Sequence, residues 1–224
     1  STTVGSQTER MRIDSSGNII IAAGSGTLQT ATAGTSNFRA GVNAGNSITS
    51  GGNYNTVVGD EAGTAITTGS GNSAFGTFAL DKSETGSFNT AFGYAALTQQ
   101  TATGSVFNTA VGYNAGAAIT TGTKNVAVGG LALDASDTGQ ENTAIGHQAL
   151  TSDTKGNRNV AVGHLSLGIQ NFTSATSVYN TGIGYNAGAA VTTGTQNTLI
   201  GGLAGDSLTT SSRNVALGYA ALSN

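Results

Sequence analysis

The side chains that could hold a metal or move a proton are few and regularly placed. His147 and His164 stand 17 residues apart. On neighbouring rungs of a stacked β-structure they would lie about 5 Å from one another, a spacing that suits a shared metal ion. The equivalent place in other copies of the same short motif holds Tyr94, Tyr113, Tyr185 and Tyr219. The histidines therefore read first as replacements for tyrosine on an outward strip, and no metal site is assigned. Such a strip suits contact with sugar rings or protein, or packing between neighbouring chains, because tyrosine is apolar along its ring and polar at its tip.

The acidic residues are dispersed. Asp60 with Glu61, and Asp134 with Asp137, are the close pairs. Glycoside hydrolysis needs two carboxylates at a set separation across a cleft, and a smooth repetitive rod offers none. These residues read as solubilising loop charges. No GxxxxGK[ST] loop occurs, and no aspartate recurs as it does in calcium-binding nonapeptide rolls. The expectation is a non-enzyme with no catalytic residue, cofactor or resident metal.

Composition narrows the architecture. Of the 224 residues, 8% are charged and 35 are glycine, with no Pro, Cys or Trp, whereas an ordinary domain carries about 25% charge. A thick core of bulky side chains is excluded. The net charge of −3, with eight Lys and Arg, leaves no basic stripe for nucleic acid. No run of about 18 apolar residues would cross a bilayer as a helix. Without an initiator Met, the sequence reads as a fragment or processed product, with any anchor or export signal outside it.

The positions needed to hold the strip come from an internal repeat. Counting an asparagine as position 0, the unit is Asn, three small or β-branched residues, Gly at position 4, two variable residues, Ala at 7, then Gly or Leu at 8. Asparagines open eleven units: Asn37, Asn55, Asn72, Asn89, Asn108, Asn125, Asn142, Asn159, Asn180, Asn197 and Asn214. Their spacing is 17 residues except for steps of 18, 19 and 21. Glycine follows four residues later each time, as in Gly59, Gly93, Gly112, Gly129, Gly163 and Gly201, and alanine stands at position 7 except for Ser166.

Seventeen residues give roughly 56 Å of chain, enough for a flattened coil of two short strands and two turns. Eleven coils would stack into a rod of roughly 53 Å, with asparagines laddered between layers. The strand segments are apolar on both alternating faces, which implies burial on both sides. One coil cannot offset its own ordering entropy, so stacking and self-association supply the stability. Gly69, Gly86, Gly122, Gly139, Gly156 and Gly194, three residues before an Asn, predict tight turns that use positive φ. The longer spacings place extra residues in 101–107 and 171–179, which should project outward. Before the repeats, Met11 to Ile13 and Ile19 to Ile21 flank Asp14 to Asn18 and suggest a hairpin, with Leu28 to Ser36 as connector. The domain reading is therefore 1–36 hairpin and connector, then 37–224 repeat domain.

The motifs NTAVGYNAG, NVAVGGLAL and NTAIGHQAL resemble the head repeats of YadA-like trimeric autotransporter adhesins, a repeat also found in bacteriophage tail fibres. The resemblance covers 37–222. GSQTERMRIDSSGN, residues 5–18, looks like a stretch of tail fibres that often carry a chaperone domain, and no such domain follows here. The resemblance implies an all-β, left-handed parallel β-roll, a homotrimer on a cell or virion surface, and attachment to a host glycan or protein receptor without membrane insertion. The unit here is longer than the family's by a TTG-type loop.

The expected function is thus an extracellular structural and adhesive fibre segment. An ice-binding solenoid is the alternative, prompted by Thr67-Thr68, Thr120-Thr121, Thr192-Thr193 and Thr209-Thr210, although an ice face would need Thr on nearly every coil. A polysaccharide-degrading tailspike stands third.

Overall fold

The computed structural model describes residues 11–13, 19–21 and 33–223. The chain divides into two units, 1–31 and 32–224. In the first, β1 (Met11–Ile13) pairs antiparallel with β2 (Ile19–Ile21), Met11 opposite Ile21. The proposed Asp14–Asn18 turn and most of the connector lie outside the described residues.

The second unit is a parallel β-solenoid of eleven coils. Its strands are β3 (Phe38–Ala40), β4 (Thr56–Val58), β5 (Ser73–Phe75), β6 (Gly86–Ser87), β7 (Thr90–Phe92), β8 (Gly104–Ser105), β9 (Thr109–Val111), β10 (Val126–Val128), β11 (Thr143–Ile145), β12 (Gly156–Asn157), β13 (Val160–Val162), β14 (Thr176–Ser177), β15 (Thr181–Ile183), β16 (Thr198–Ile200) and β17 (Val215–Leu217). The eleven three-residue strands form one sheet in coil order. Every pairing is parallel and in step, as Ala74 with Ala91 and Ala127 with Ala144.

Two strands per coil is not what forms. A second strand occurs only where the long loops stack, in the pairs β6 with β8 and β12 with β14. Elsewhere the return path is a chain of turns, because left-handed residues break up any extended run. Position −1, just before each Asn, is left-handed: Tyr54, Phe88, Phe107, Lys124 and Tyr179 have φ between 56° and 63°. Position 8 is left-handed too, with Leu80, Leu97, Leu133, Leu150 and Leu167 at 49° to 54°. A bulky residue there costs roughly 1–2 kcal/mol. The flipped amide is rewarded by a bond to the adjacent coil: Leu80 N–H donates to the Ala96 carbonyl at 3.0 Å, and Tyr54 N–H to Thr35 at 2.9 Å.

Glycine is obligatory at position 4 for two reasons. Gly129 has φ +127°, and a Cβ on it would come within 2.6 Å of the Gly146 carbonyl carbon on the next coil. The glycines at position −3 serve differently from expectation. Gly69 and Gly122 lack positive φ, and a Cβ there would meet the next coil's carbonyl oxygen at 2.4 and 2.3 Å. Close stacking, not turn conformation, demands them.

The asparagine ladder closes each coil. Asn72 N–H donates to Asn55 Oδ1 at 2.9 Å, and Asn55 Nδ2 donates to the Gly69 carbonyl at 2.9 Å. All of Asn55, Asn89, Asn108, Asn125, Asn159 and Asn197 are buried, as an amide satisfied between rungs allows.

The core is one apolar column: position 2 (Val57, Ala74, Ala91, and Leu199 in the coil opening at Asn197), Ala at 7 in all but one coil, and one bulky aliphatic at position 8 or 11. Coils come in two kinds. Those opening at Asn55, Asn108 and Asn180 have Gly at position 8 and Ile66, Ile119 or Val191 at position 11. Those opening at Asn72, Asn125 and Asn142 have Leu at position 8 and Ser83, Ser136 or Asp153 at position 11. A Cβ on Gly63 would reach 2.7 Å from Ile66 Cδ1, so the two side chains compete for one space.

The long loops do not simply project. Thr101, Gly104, Thr173 and Ser174 are exposed, but Val106, Val178 and Phe172 turn inward. Both long coils carry glutamine at position 11, and Gln100 and Gln170 accept from Asn108 and Asn180 Nδ2 at 2.7 Å each. Gln170 Nε2 in turn donates to Asp153 Oδ2 at 2.6 Å.

Candidate recognition surface

The strands bury only one face. Position 2 points into the column, while positions 1 and 3 point out. The double-sided burial expected from the sequence is therefore absent within one chain. Position 3 reads Ala40, Val58, Phe75, Phe92, Val111, Val128, Ile145, Val162, Ile183, Ile200 and Leu217 along the rod. Phe92 remains 48% exposed and Leu217 76%. Phe75 and Phe92 stack along this ladder, centroids 4.5 Å apart.

The tyrosine and histidine strip lies at position 5, just past the strand. Tyr94 stacks on Tyr113 (5.7 Å, 14° between planes), His147 on His164 (5.5 Å, 7°), and His164 on Tyr185 (5.5 Å, 9°). Gly130 and Gly202 interrupt the ladder, leaving runs of two and three rings with Tyr219 apart. Because stacked rings face each other, the runs turn their edges outward. Sugar stacking needs an open ring face, which only the ends of each run offer. Among the described residues no group of three or more His, Cys, Asp and Glu comes together, so the imidazole pair has no further ligand of those types.

A second ladder, at position −1, flanks the strands on their other side. It includes Phe88 stacked on Phe107 at 5.2 Å, and the exposed Tyr54 and Tyr179. Between them Glu141 pairs with Lys124 at 3.5 Å and Arg158 at 2.8 Å, while Arg158 lies over the Tyr179 ring, 5.6 Å from its centre. The hydrogen bond from Arg158 and its charge hold the Glu141 carboxyl below the usual range. This ladder was not read from the sequence, because its aromatic members Tyr54, Phe88, Phe107 and Tyr179 are interspersed with Gly71, Lys124, Glu141 and Arg158.

Of the two acidic pairs read from the sequence, Asp134 with Asp137 is engaged in the stack through its carboxylates, while Asp60 and Glu61 accept from Phe78 N–H and Thr64 Oγ1 through their backbone carbonyls. Asp134 and Asp137 accept from Thr151 and Thr120 of adjacent coils. Asp153 is the buried one. Desolvation raises its pKa, opposed by bonds from Gln170, Phe172 and Gly156. Burial likewise raises Asp81, against Lys82 and Thr64. The first threonines of the Thr-Thr pairs donate to the next coil, as Thr67 to the Glu84 carbonyl at 3.1 Å and Thr192 to Thr209 at 3.1 Å. No described helix is long and apolar enough to cross a membrane.

Comparison with family patterns, with curated proteins and with solved structures finds no match to this chain.

Proposed function

We propose that this chain is a segment of an extracellular structural and adhesive fibre, assembled as a homotrimer, of the kind found in phage tail fibres and bacterial surface adhesins. The rod sets reach and rigidity, and its outward residues touch a host glycan or protein. The observation that carries the reading is the position-3 ladder, apolar in every coil from Ala40 to Leu217 and left partly to largely exposed by the chain itself. Bare apolar surface of that extent marks an interaction site.

Eleven coils at about 4.8 Å make a face roughly 50 Å tall, and at roughly 15–20 Å wide it would bury about 800–1,000 Å² per copy; divided between two neighbours in a trimer, each contact totals about 800–1,000 Å² from both partners, the low end for a specific interface. A rotation axis parallel to the rod lets identical copies cover one another and closes the assembly. The resemblance of the repeats to trimeric adhesin heads supports three copies.

Light scattering on the native protein tests this. A mass near 66 kDa, three times 22.0 kDa, is expected. A folded 22.0 kDa particle would overturn the fibre reading.

A further inference from the structure

We propose that neighbouring copies meet with the position −1 ladder of one against the position 5 ladder of the next, rung to rung at the same height. This rests on the self-association proposed above and specifies its surface.

The first observation is a pair of glycines that the fold does not require. Gly129 cannot carry a side chain, but Gly130 beside it has no positive φ, and the nearest atom to a Cβ would be His147 Cδ2 at 3.5 Å, an ordinary contact. Gly202 is the same, with Tyr219 Cδ2 at 3.5 Å. Each vacancy opens a slot in a ladder of rings, between Tyr113 and His147 and between Tyr185 and Tyr219. Folding leaves these gaps unexplained.

The second observation is what stands at position −1 on those two rungs. Opposite the vacancies are the long unbranched side chains Lys124 and Gln196. Where position −1 is a bulky ring, position 5 is a ring as well in three rungs: Phe88 with Tyr94, Phe107 with Tyr113, Tyr179 with Tyr185. All six of these rings are about half exposed. Glu141 shares its rung with His147, an acid opposite a base.

Within one chain the two positions are six residues apart across a strand, roughly 20 Å if extended, too far for the sizes to compensate. A neighbour removes the difficulty. Rotation about an axis parallel to the rod preserves height, so the start of a strand in one copy adjoins the end of the same strand in the next. Rings then meet rings in an apolar contact, and the Lys124 ammonium, 3.5 Å from Glu141 in an exposed pair within the single chain, turns from that pair into the Gly130 slot between two aromatic faces, a cation–π arrangement.

Paired cysteines test the matching. The native chain has no cysteine, so only introduced thiols react. Lys124→Cys with Gly130→Cys, and independently Gln196→Cys with Gly202→Cys, are treated with a short bis-maleimide. Each matched pair is expected to shift the chain from its 22.0 kDa band to covalent oligomer under denaturing conditions. The offset pair Lys124→Cys with Gly202→Cys, four rungs apart, is expected to stay at 22.0 kDa. An oligomeric native mass with no cross-link from either matched pair, or with equal cross-linking of the offset pair, overturns the rung pairing and leaves self-association standing. A monomeric native mass overturns both.

Discussion

The coil at 108–124 and the coil at 125–141 occupy neighbouring rungs with the same backbone, yet fill their interiors in opposite ways. The first has Gly116 at position 8 and Ile119 at position 11, and the second has Leu133 and Ser136. Both place one bulky aliphatic in the column, from opposite walls. Between positions 8 and 11 a rung this thin has room for one such group, supplied from either wall but not from both. Polar residues then follow at position 11 wherever leucine has taken the space.

A large effect should come from emptying a rung. Leu133→Gly removes the only large apolar side chain that its coil buries; the loss of about 3–5 kcal/mol seen for buried leucines is offset by roughly 1–2 kcal/mol of relieved left-handed strain, leaving a net cost of about 2–4 kcal/mol. If the two coil kinds are equivalent, adding Ser136→Ile restores most of the loss. A double variant no more stable than the single, in thermal melts, would break the comparison.

Overfilling is the converse. Gly116→Leu puts leucine at a left-handed φ that other coils already hold, Leu133 at 53° and Gly116 at 57°, and so adds the backbone cost of roughly 1–2 kcal/mol that those leucines carry. The clash is with Ile119, whose Cδ1 would lie 2.9 Å from the new Cβ. A further loss of about 1–3 kcal/mol is expected from overpacking, and Ile119→Ser in the same chain should recover that part, leaving the backbone cost and the 3.1 Å approach to Leu97 Cδ2.

The long coils extend the leucine kind. Gln170→Leu leaves Asp153 Oδ2 without its 2.6 Å partner, while Oδ1 keeps the Gly156 and Phe172 amides, and a loss of about 1–3 kcal/mol is expected from the unpaired oxygen. Asp153 also makes stability depend on pH. Its folded pKa is raised by burial, so the folded state binds the proton more tightly than the unfolded chain. Its contribution is full below the ordinary aspartate value of 3.8, and is lost as pH rises through the raised one. Denaturation midpoints across pH should show a wild-type curve falling relative to Asp153→Ser over that interval. Parallel curves would refute the assignment.

The smallest effect is on the surface. Lys82→Ala removes the exposed hydrogen bond from Lys82 Nζ to Gln99 Oε1 on the return path, away from both ladders, and exposed contacts of this kind contribute little. The melting midpoint should not move beyond replicate scatter.

Much of this was legible in the sequence, unevenly. Period, coil number, the asparagine ladder and the glycine at position 4 follow from residues that recur without exception. The alternation of Gly and Leu at position 8 was visible, while its coupling to position 11 needed the geometry that brings Gly63 against Ile66. Left-handed Phe88, Lys124 and Leu133 gave no warning, because bulky residues seldom adopt positive φ; coil-to-coil hydrogen bonds impose it. For that reason the second strand of each coil, expected from chain length, was replaced by turns. The tyrosine and histidine strip was found as a strip, but its stacking into interrupted runs, and the second ladder across the strand, depend on contacts between rungs.

The glycine column at position 4 has a mechanical consequence. With backbone against backbone there, no side chain can wedge the rungs apart, and each coil adds the same increment of about 4.8 Å. Reach therefore becomes a counted quantity. Duplicating or deleting one 17-residue unit would lengthen or shorten the rod by a single step while every remaining rung keeps its outward face, so a lineage could tune distance to its target by copy number alone.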